Sequence, residues 1–502
     1  MSTANLPGAT ATTGAPRPVH RRLVLAICCL SVGVTGIDLS IVNVALPSIS
    51  KDLHTSVGGL QWTVDAYSLV MACLLVLSGS MADRFGRKRV FQLGLSLFSL
   101  GSLLCGLAPC VGWLIAFRGL QAVGGSMLNP VAMSIIVSVF TDRRERARAI
   151  GVWGSVIGTT VAAGPVLGGL LVSGIDWRSV FWVNVPIGIG AILLTRRFVP
   201  ESRAARGRAF DPPGQALIIV LFASVIAATI EGPRQGWANP WIVGLFVLAA
   251  LALTGLLIVE PRRSEPLIDL RFFRSPPFSG ANTISVVMSA GLGGFLFLST
   301  LYLQDVRHFS PLHAGLMIIP VAVGQAVASQ LSGRLLASRG DRLPLVLGGA
   351  FLTLGGVLLV PLTAHTGSGY LLAAYAVFGL GAGLTGPPVN HTAVTGLPPD
   401  QVGVAGALAA SARQFGISIG VAVTGSIVAG TGTGSLDSGH AAWAVLAGCG
   451  LVALVLGAVS TSGWAKAAAA RNGERLVIAP APESQDHLPP SPSAGPMEAR
   501  KE

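Results

Sequence analysis

Four ionisable residues stand where water should be scarce. Asp38, Asp65, Arg118 and Arg413 each interrupt an otherwise apolar run. A charge in a bilayer costs at least about 2.5 kcal/mol, so such residues are candidates for handling ions or substrates. At about 1.5 Å of rise per residue, Asp38 sits ~12 Å and Asp65 ~9 Å from the nearer ends of their runs, and Arg118 about six residues from its own. The shared depth suggests one cavity for all three. A cation beside a carboxylate favours the ionised form, and moving it away favours protonation, which is the physics of a proton-coupled site. Two plainer arrangements remain open: a static Asp38–Arg118 ion pair, and an Asp65 solvated near the interface. Arg413 lies ~16 Å deep, near a midplane, in a half of the chain with no deep acid.

Two further stretches have the residue types for conformational work. One loop reads Gly79-Ser-Met-Ala-Asp83-Arg84-Phe-Gly86-Arg87-Lys88-Arg89, a tight turn with an acid at a helix end and a basic cluster after it. Membrane anchoring explains the basic residues but not two glycines and an aspartate at these positions. The other is Gly164-Pro165-Val-Leu-Gly168-Gly169, whose glycines, like Gly416 and Gly420, permit close helix approach. Gly381-Ala-Gly383-Leu-Thr-Gly386 matches a dinucleotide-loop pattern, but it lies inside an apolar run with no preceding strand. No phosphate-binding G-x-x-x-x-G-K-[ST] occurs, so transport would draw on a gradient, with no cofactor beyond protons.

The elements that position these residues follow from composition. Of 502 residues, 51% are hydrophobic and only 11% charged, and the mean hydropathy is +0.68. A soluble chain carries roughly 25% charge, so a water-soluble enzyme is excluded. A spanning helix needs about 20 apolar residues. Candidate spans fall near 23–46, 59–79, 90–108, 112–140, 150–174, 179–197, 213–230, 239–259, 278–303, 312–336, 343–362, 370–392, 402–430 and 441–462, about fourteen helices in all. Prolines 387, 388, 398 and 399 blur the boundary near 380–402. The first span follows Arg17, Arg21 and Arg22 but is long and lacks a small-residue cleavage site, so it is expected to stay uncleaved. The six cysteines show no C-x-x-C spacing and read as core fillers.

The net charge of +12 would ordinarily raise nucleic acid as a partner. With the amino terminus inside, however, the basic residues gather in alternate loops. Of the 34 Lys and Arg residues, only Lys51, Arg178, Arg234 and Arg307 fall outside. That is the positive-inside pattern: the charge is topological, the partner is the lipid bilayer, and no nucleic acid is expected. Both termini are then cytoplasmic. An internal repeat is also visible. Gly333, Arg339 and Gly340 echo the loop around Gly79 and Gly86 at an offset of about 254, with Ala337 in place of Asp83, and Gly403-Val-Ala-Gly406 echoes Gly151-Val-Trp-Gly154.

The loop from Gly79 to Arg89 resembles the signature of the major facilitator superfamily, with Met81 for its usual leucine. Three more stretches resemble that superfamily's fourteen-helix drug:proton antiporters: Gly36-Ile-Asp38-Leu-Ser-Ile-Val-Asn43-Val-Ala-Leu-Pro47, Arg118-Gly-Leu-Gln121-Ala-Val-Gly124-Gly125, and the Gly164–Gly169 run. The second departs from the pattern in placing Gly119 before Gln121 and Ala122 after it. Arg413-Gln414-Phe-Gly416 looks like a stretch of the same branch. Trp62-Thr-Val-Asp65-Ala-Tyr67-Ser-Leu resembles exporters of lipophilic cations.

The resemblance implies an all-α integral membrane fold of two six-helix bundles with two helices inserted between them. The expected divisions are a disordered tail at 1–22, bundles at 23–198 and 278–464, a linker with the inserted helices at 199–277, and a second disordered tail at 465–502. The implied function is proton-coupled export of hydrophobic or cationic compounds by a monomer in the bacterial cytoplasmic membrane. In that reading Asp38, Asp65, Arg118 and Arg413 serve coupling and transport. Gly79, Asp83, Arg84, Gly86 and Arg87 serve gating, with Asp83 bonding helix N–H groups in one state, and the run from Gly164 to Gly169 serves antiport. A proton-coupled importer or facilitator of a small solute, and a polytopic enzyme acting on lipid-linked substrates, are the rival readings.

Overall fold

The computed structural model describes residues 20–203, 211–263, 266–395, 402–430 and 436–478. Among them there is no strand. The first bundle comprises α1 (Arg21–Asp52), α2 (Val57–Phe85), α3 (Arg87–Gly106), α4 (Val111–Val139) and α5 (Arg143–Gly174), then the short α6 (Ser179–Trp182) running into α7 (Asn184–Phe198). Two inserted helices follow, α8 (Pro212–Gln235) and α9 (Pro240–Val259). The second bundle is α10 (Pro276–Leu301), which ends in a π turn, α11 (Pro311–Arg339), α12 (Arg342–Leu359), α13 (Ser368–Val394), α14 (Val402–Gly430) and α15 (Leu436–Ser460), with α16 (Gly463–Ile478) beyond it.

Thirteen helices among the described residues are long and apolar enough to cross a membrane. The 32-residue α5 takes the remaining place in the two-bundle plan. One expectation is overturned: the segment from 465 to 478, read from its composition as disordered, is helical. Its buried Asn472 side chain donates to the Arg271 carbonyl at 3.2 Å, which ties α16 to the turn ahead of α10. Alanine-rich sequence is the best helix former, so composition alone misjudged it. Residues 1–19 and 479–502, the rest of the two expected tails, lie outside the described residues, as do Pro398 and Pro399.

The repeat is visible in the backbone. Gly86, between α2 and α3, and Gly340, between α11 and α12, both take positive φ, +106° and +77°. An L side chain is strained there, so glycine is required. The expected tight turn thus occurs in both halves.

Each bundle buries its own core, and the two cores differ. The second is aromatic, with Phe295 stacked on Phe378 (ring centroids 4.7 Å apart) and edge-on to Tyr375 at 4.9 Å. The first holds a buried charge cluster. Inserted helix α8 lies across the seam between α2 and α14: Gln215 Nε2 donates to the Cys73 carbonyl at 2.7 Å, Ser426 Oγ donates to the Thr229 carbonyl, and Phe222 stacks on Phe415.

Candidate functional site

Asp38 on α1 and Arg118 on α4 are both fully buried and form an ion pair, Arg118 Nη1 donating to Asp38 Oδ2 at 2.6 Å. Three other helices complete the cluster. Gln121, one turn on from Arg118, donates through Nε2 to Asp38 Oδ1 at 2.8 Å and to Ser102 Oγ on α3 at 2.7 Å, while its Oε1 accepts from Arg118 Nη1 at 2.6 Å. Asn184, which opens α7, donates to Asp38 Oδ1 at 3.0 Å. From α2, the Thr63 carbonyl accepts from Arg118 Nε at 3.2 Å, and the Tyr67 ring lies 4.3 Å from the guanidinium carbon. Asp38 thus takes three donors, and Arg118 is held on two sides and one face. Charges this deep are costly unless paired and hydrogen-bonded, as these are.

Asp65 is not part of this cluster. At 100° per residue, Thr63 and Tyr67 face α4 and Asp65 points the other way, toward α14. There Gln61 Nε2 donates to the Ala422 carbonyl at 2.8 Å, and the Ser68 and Ser418 hydroxyls meet at 2.8 Å. Asp65 lies between those two contacts, fully buried, with neither carboxylate oxygen accepting one of the described hydrogen bonds. The single cavity expected for Asp38, Asp65 and Arg118 is therefore not formed in this structure. Equal depth placed the residues at one level, but on two faces of α2.

A different cavity lies between the bundles. Its volume is about 130 Å³, and Leu39, Val64, Leu292, Leu296, Ile417 and Val421 give it an apolar lining. Thr35, Ser40, Asn43 and Asn129 add polar groups, and no charged residue lines it. Its largely apolar lining with a few polar groups has the character of a small-molecule site. Arg413 lies one turn along α14 from the lining residue Ile417, and its Nη1 donates to Asn390 Oδ1 at 3.0 Å.

The described hydrogen bonds between the bundles lie at midplane or toward one face, the face of residues 53–56. Besides those of α2 with α14, Gln304 Nε2 donates to the Val44 carbonyl at 2.9 Å and the Leu312 N–H donates to Ser173 Oγ at 3.2 Å. Toward the other face, which carries residue 21 and Gly86, Gly151, Gly154 and Ser155 of α5 and Asn390 and His391 of α13 are exposed. The described contacts thus join the bundles on the first side, and on the second those residues are uncovered.

The glycines of the run from 164 to 169 sit where the bundles join. A Cβ on Gly168 would come within 3.0 Å of the Ile41 carbonyl of α1, and one on Gly169 within 2.7 Å of Leu312 Cα of α11. Gly164 abuts Ser40, and Pro165 abuts Gly315. One short segment of α5 thus packs against both bundles.

In the loop, Asp83 accepts from Arg87 Nη2 at 3.0 Å, one turn away. The helix N–H groups expected for Asp83 are met instead by Glu201, which follows α7: its Oε1 accepts from the Lys88 N–H at 3.1 Å, and the Arg87 N–H donates to the Ser202 carbonyl at 2.9 Å. Arg84 is exposed, and no atom lies within 4 Å of a Cβ built on Gly79. Glu201 lies in a loop, where spacing gave no signal. Gln121 appeared in the sequence only as part of a motif, and Ser102 and Asn184 as isolated polar residues in apolar runs. Within the second bundle, Asp341 ahead of α12 and His391 on α13 form a further pair at 2.8 Å.

Two pseudo-repeated helical bundles, a cavity between them and a charge cluster buried behind it define a membrane transporter of the alternating-access type. The model of the Major Facilitator Superfamily matches residues 28–421, and the chain belongs to that superfamily. It is 36% identical over 413 residues, 82% of this chain and 77% of the relative, to the multidrug resistance protein Stp of Mycobacterium tuberculosis. It is 35% identical to the methylenomycin A resistance protein of Streptomyces coelicolor, over 81% of this chain and 86% of that one. The tetracenomycin C resistance and export protein of Streptomyces glaucescens is 34% identical, over 82% and 76%. Among solved structures, the fold matches a bacterial homologue of the lysosomal transporter Spinster, in an inward-facing and unoccupied conformation, with a TM-score of 0.58, 19% identity and coverage of 92% and 98%.

Proposed function

We propose that the protein is a drug exporter of the fourteen-helix antiporter branch, moving hydrophobic or amphiphilic compounds out of a bacterial cell in exchange for protons. The observation that carries this reading is the juxtaposition of an apolar cavity between the bundles with the buried Asp38–Arg118 cluster directly behind α1. Leu39 and Ser40 line the cavity while Asp38, on the opposite side of the same turn, accepts from Arg118, Gln121 and Asn184.

Neutralising Asp38 removes its Coulomb attraction to Arg118 and turns one acceptor oxygen into a donor, facing Arg118 if it is Oδ2 or Gln121 and Asn184 if it is Oδ1. The pair then has reason to separate, and with it α1 from α4. In this scheme protonation of Asp38 drives the change of access, and Asp65, between the two bundle-joining contacts of α2 and α14, responds to it. The uncovered face, which carries the basic loops, is the cytoplasmic one, so the structure corresponds to the drug-loading state. The named relatives, which confer resistance to several unrelated antibiotics, support export over import.

Everted membrane vesicles test the reading. An imposed inward-acid proton gradient should drive dye into vesicles that carry the protein and not into vesicles that lack it. Accumulation that is indifferent to collapse of the gradient would overturn proton coupling.

A further inference from the structure

Arg413, like Asp65, is a deep ionisable residue outside the described ion pairs, and it is the cation of the two. Asp38 and Arg118 neutralise each other. Arg413 has no carboxylate partner among the described residues, and its described hydrogen bond is the one to Asn390. It is the sole Lys, Arg, Asp or Glu in the runs assigned to α13 and α14 within the described residues. Arg413 is half-buried, and its partner Asn390 is exposed. Residues 413, 417 and 421 recur every four positions, so Arg413 continues the stripe of α14 whose Ile417 and Val421 line the cavity. Its distance from Ile417 along the axis is about 6 Å.

A guanidinium has five donors in a planar fork suited to a carboxylate. One bond to Asn390 leaves most of them free, beside an apolar cavity with no charge of its own. Resting on the exporter reading above, we propose that Arg413 and Asn390 form a subsite for an anionic group, a carboxylate at one end of an amphiphilic substrate whose apolar body occupies the cavity. Asn390 fixes the fork and leaves the remaining N–H groups for the ligand. Substrates with an acidic group are then preferred to neutral analogues, and lipophilic cations are disfavoured at this end.

The test uses three fluorescent probes with the same dansyl-undecanoyl body ending in carboxylate, carboxamide or trimethylammonium, titrated onto the full-length protein in phosphatidylcholine nanodiscs. The wild type should bind the carboxylate at least about tenfold more tightly than the carboxamide, and the trimethylammonium probe most weakly. Arg413→Gln should abolish the difference while still binding the carboxamide probe, which reports an intact cavity, and Arg413→Lys should keep part of it. A wild type without carboxylate preference, or an Arg413→Gln variant that retains it, overturns the proposal. Loss of the preference when phosphatidylglycerol is added to the nanodiscs would assign Arg413 to lipid headgroups and overturn it as well. Failure of the wild type to bind any of the three would count against the amphiphile cavity itself, and the subsite would fall with it.

Discussion

Asp38→Asn is the substitution whose consequences the structure fixes most closely. The asparagine has the same shape but no charge, so Arg118, 1% exposed, keeps its positive charge without a partner. Breaking a buried pair by removing one member costs about 3–5 kcal/mol, roughly a 150- to 5,000-fold drop in the folded-to-unfolded ratio. The amide adds a conflict, because donors converge on both carboxylate oxygens: Arg118 on Oδ2, Gln121 and Asn184 on Oδ1. Whichever way the new amide turns, its NH₂ meets at least one of them. Thermal unfolding of the purified protein should register the loss, and proton-driven dye uptake by everted vesicles should vanish even where protein level is matched. The double variant Asp38→Asn, Arg118→Gln removes the stranded charge and should recover most of the stability without recovering transport. That combination separates coupling from scaffolding. If the double variant regains both stability and gradient-driven transport, or the single variant never loses transport, the pair is static and the proton is carried elsewhere.

The remaining expectations concern the gates, the seam and the topology. Gly315→Val should prevent closure of α11 against Pro165, lower efflux more than tenfold, and make a cysteine placed at Asn43 reactive to an impermeant maleimide from the side of residues 53–56; unchanged labelling would refute it. Asp83→Asn removes only a half-exposed pair with Arg87, worth about 0.3–0.5 kcal/mol, so it should slow turnover while leaving dye binding intact. Equal losses of binding and turnover would point to a substrate contact or a folding defect instead. Asp65→Asn should impair export of cationic and neutral dyes in the same proportion, because Asp65 faces α14 rather than the cavity; selective loss of cationic dyes would show that it meets substrate in another state. Reporter fusions should place loops 141–149 and 198–211 in the cytoplasm and 47–58 outside, and a cytoplasmic signal from 47–58 would overturn the orientation.

The helices and the internal repeat were legible because they are written in local pattern: apolar runs of spanning length, and glycines where the backbone turns to positive φ at 86 and 340. The site was legible in one dimension only. Counting residues from a helix end gives depth, and depth rightly brought Asp38 level with Arg118. It does not give azimuth. The helical period held the missing coordinate for Asp65, since positions 63 and 67 share a face that 65 cannot share. But nothing local shows which face of α2 meets α4 and which meets α14.

The same limit explains the partners that were missed. Ser102, Gln121 and Asn184 come from three helices and converge around one carboxylate, so no sequence spacing links them. What the sequence does record is their cost: each is a polar residue inside an apolar run, tolerated because it satisfies another polar group. By that measure two residues remain out of balance: Asp65, fully buried with no described cation beside it, and Arg413, with one described bond and no anion. The first bundle gathers Arg118, Gln121 and Asn184 around a single aspartate, whereas the second holds its deep cation by one described bond, to Asn390. In the proposed scheme Asp38 changes partners within the protein, and Arg413 finds one outside it.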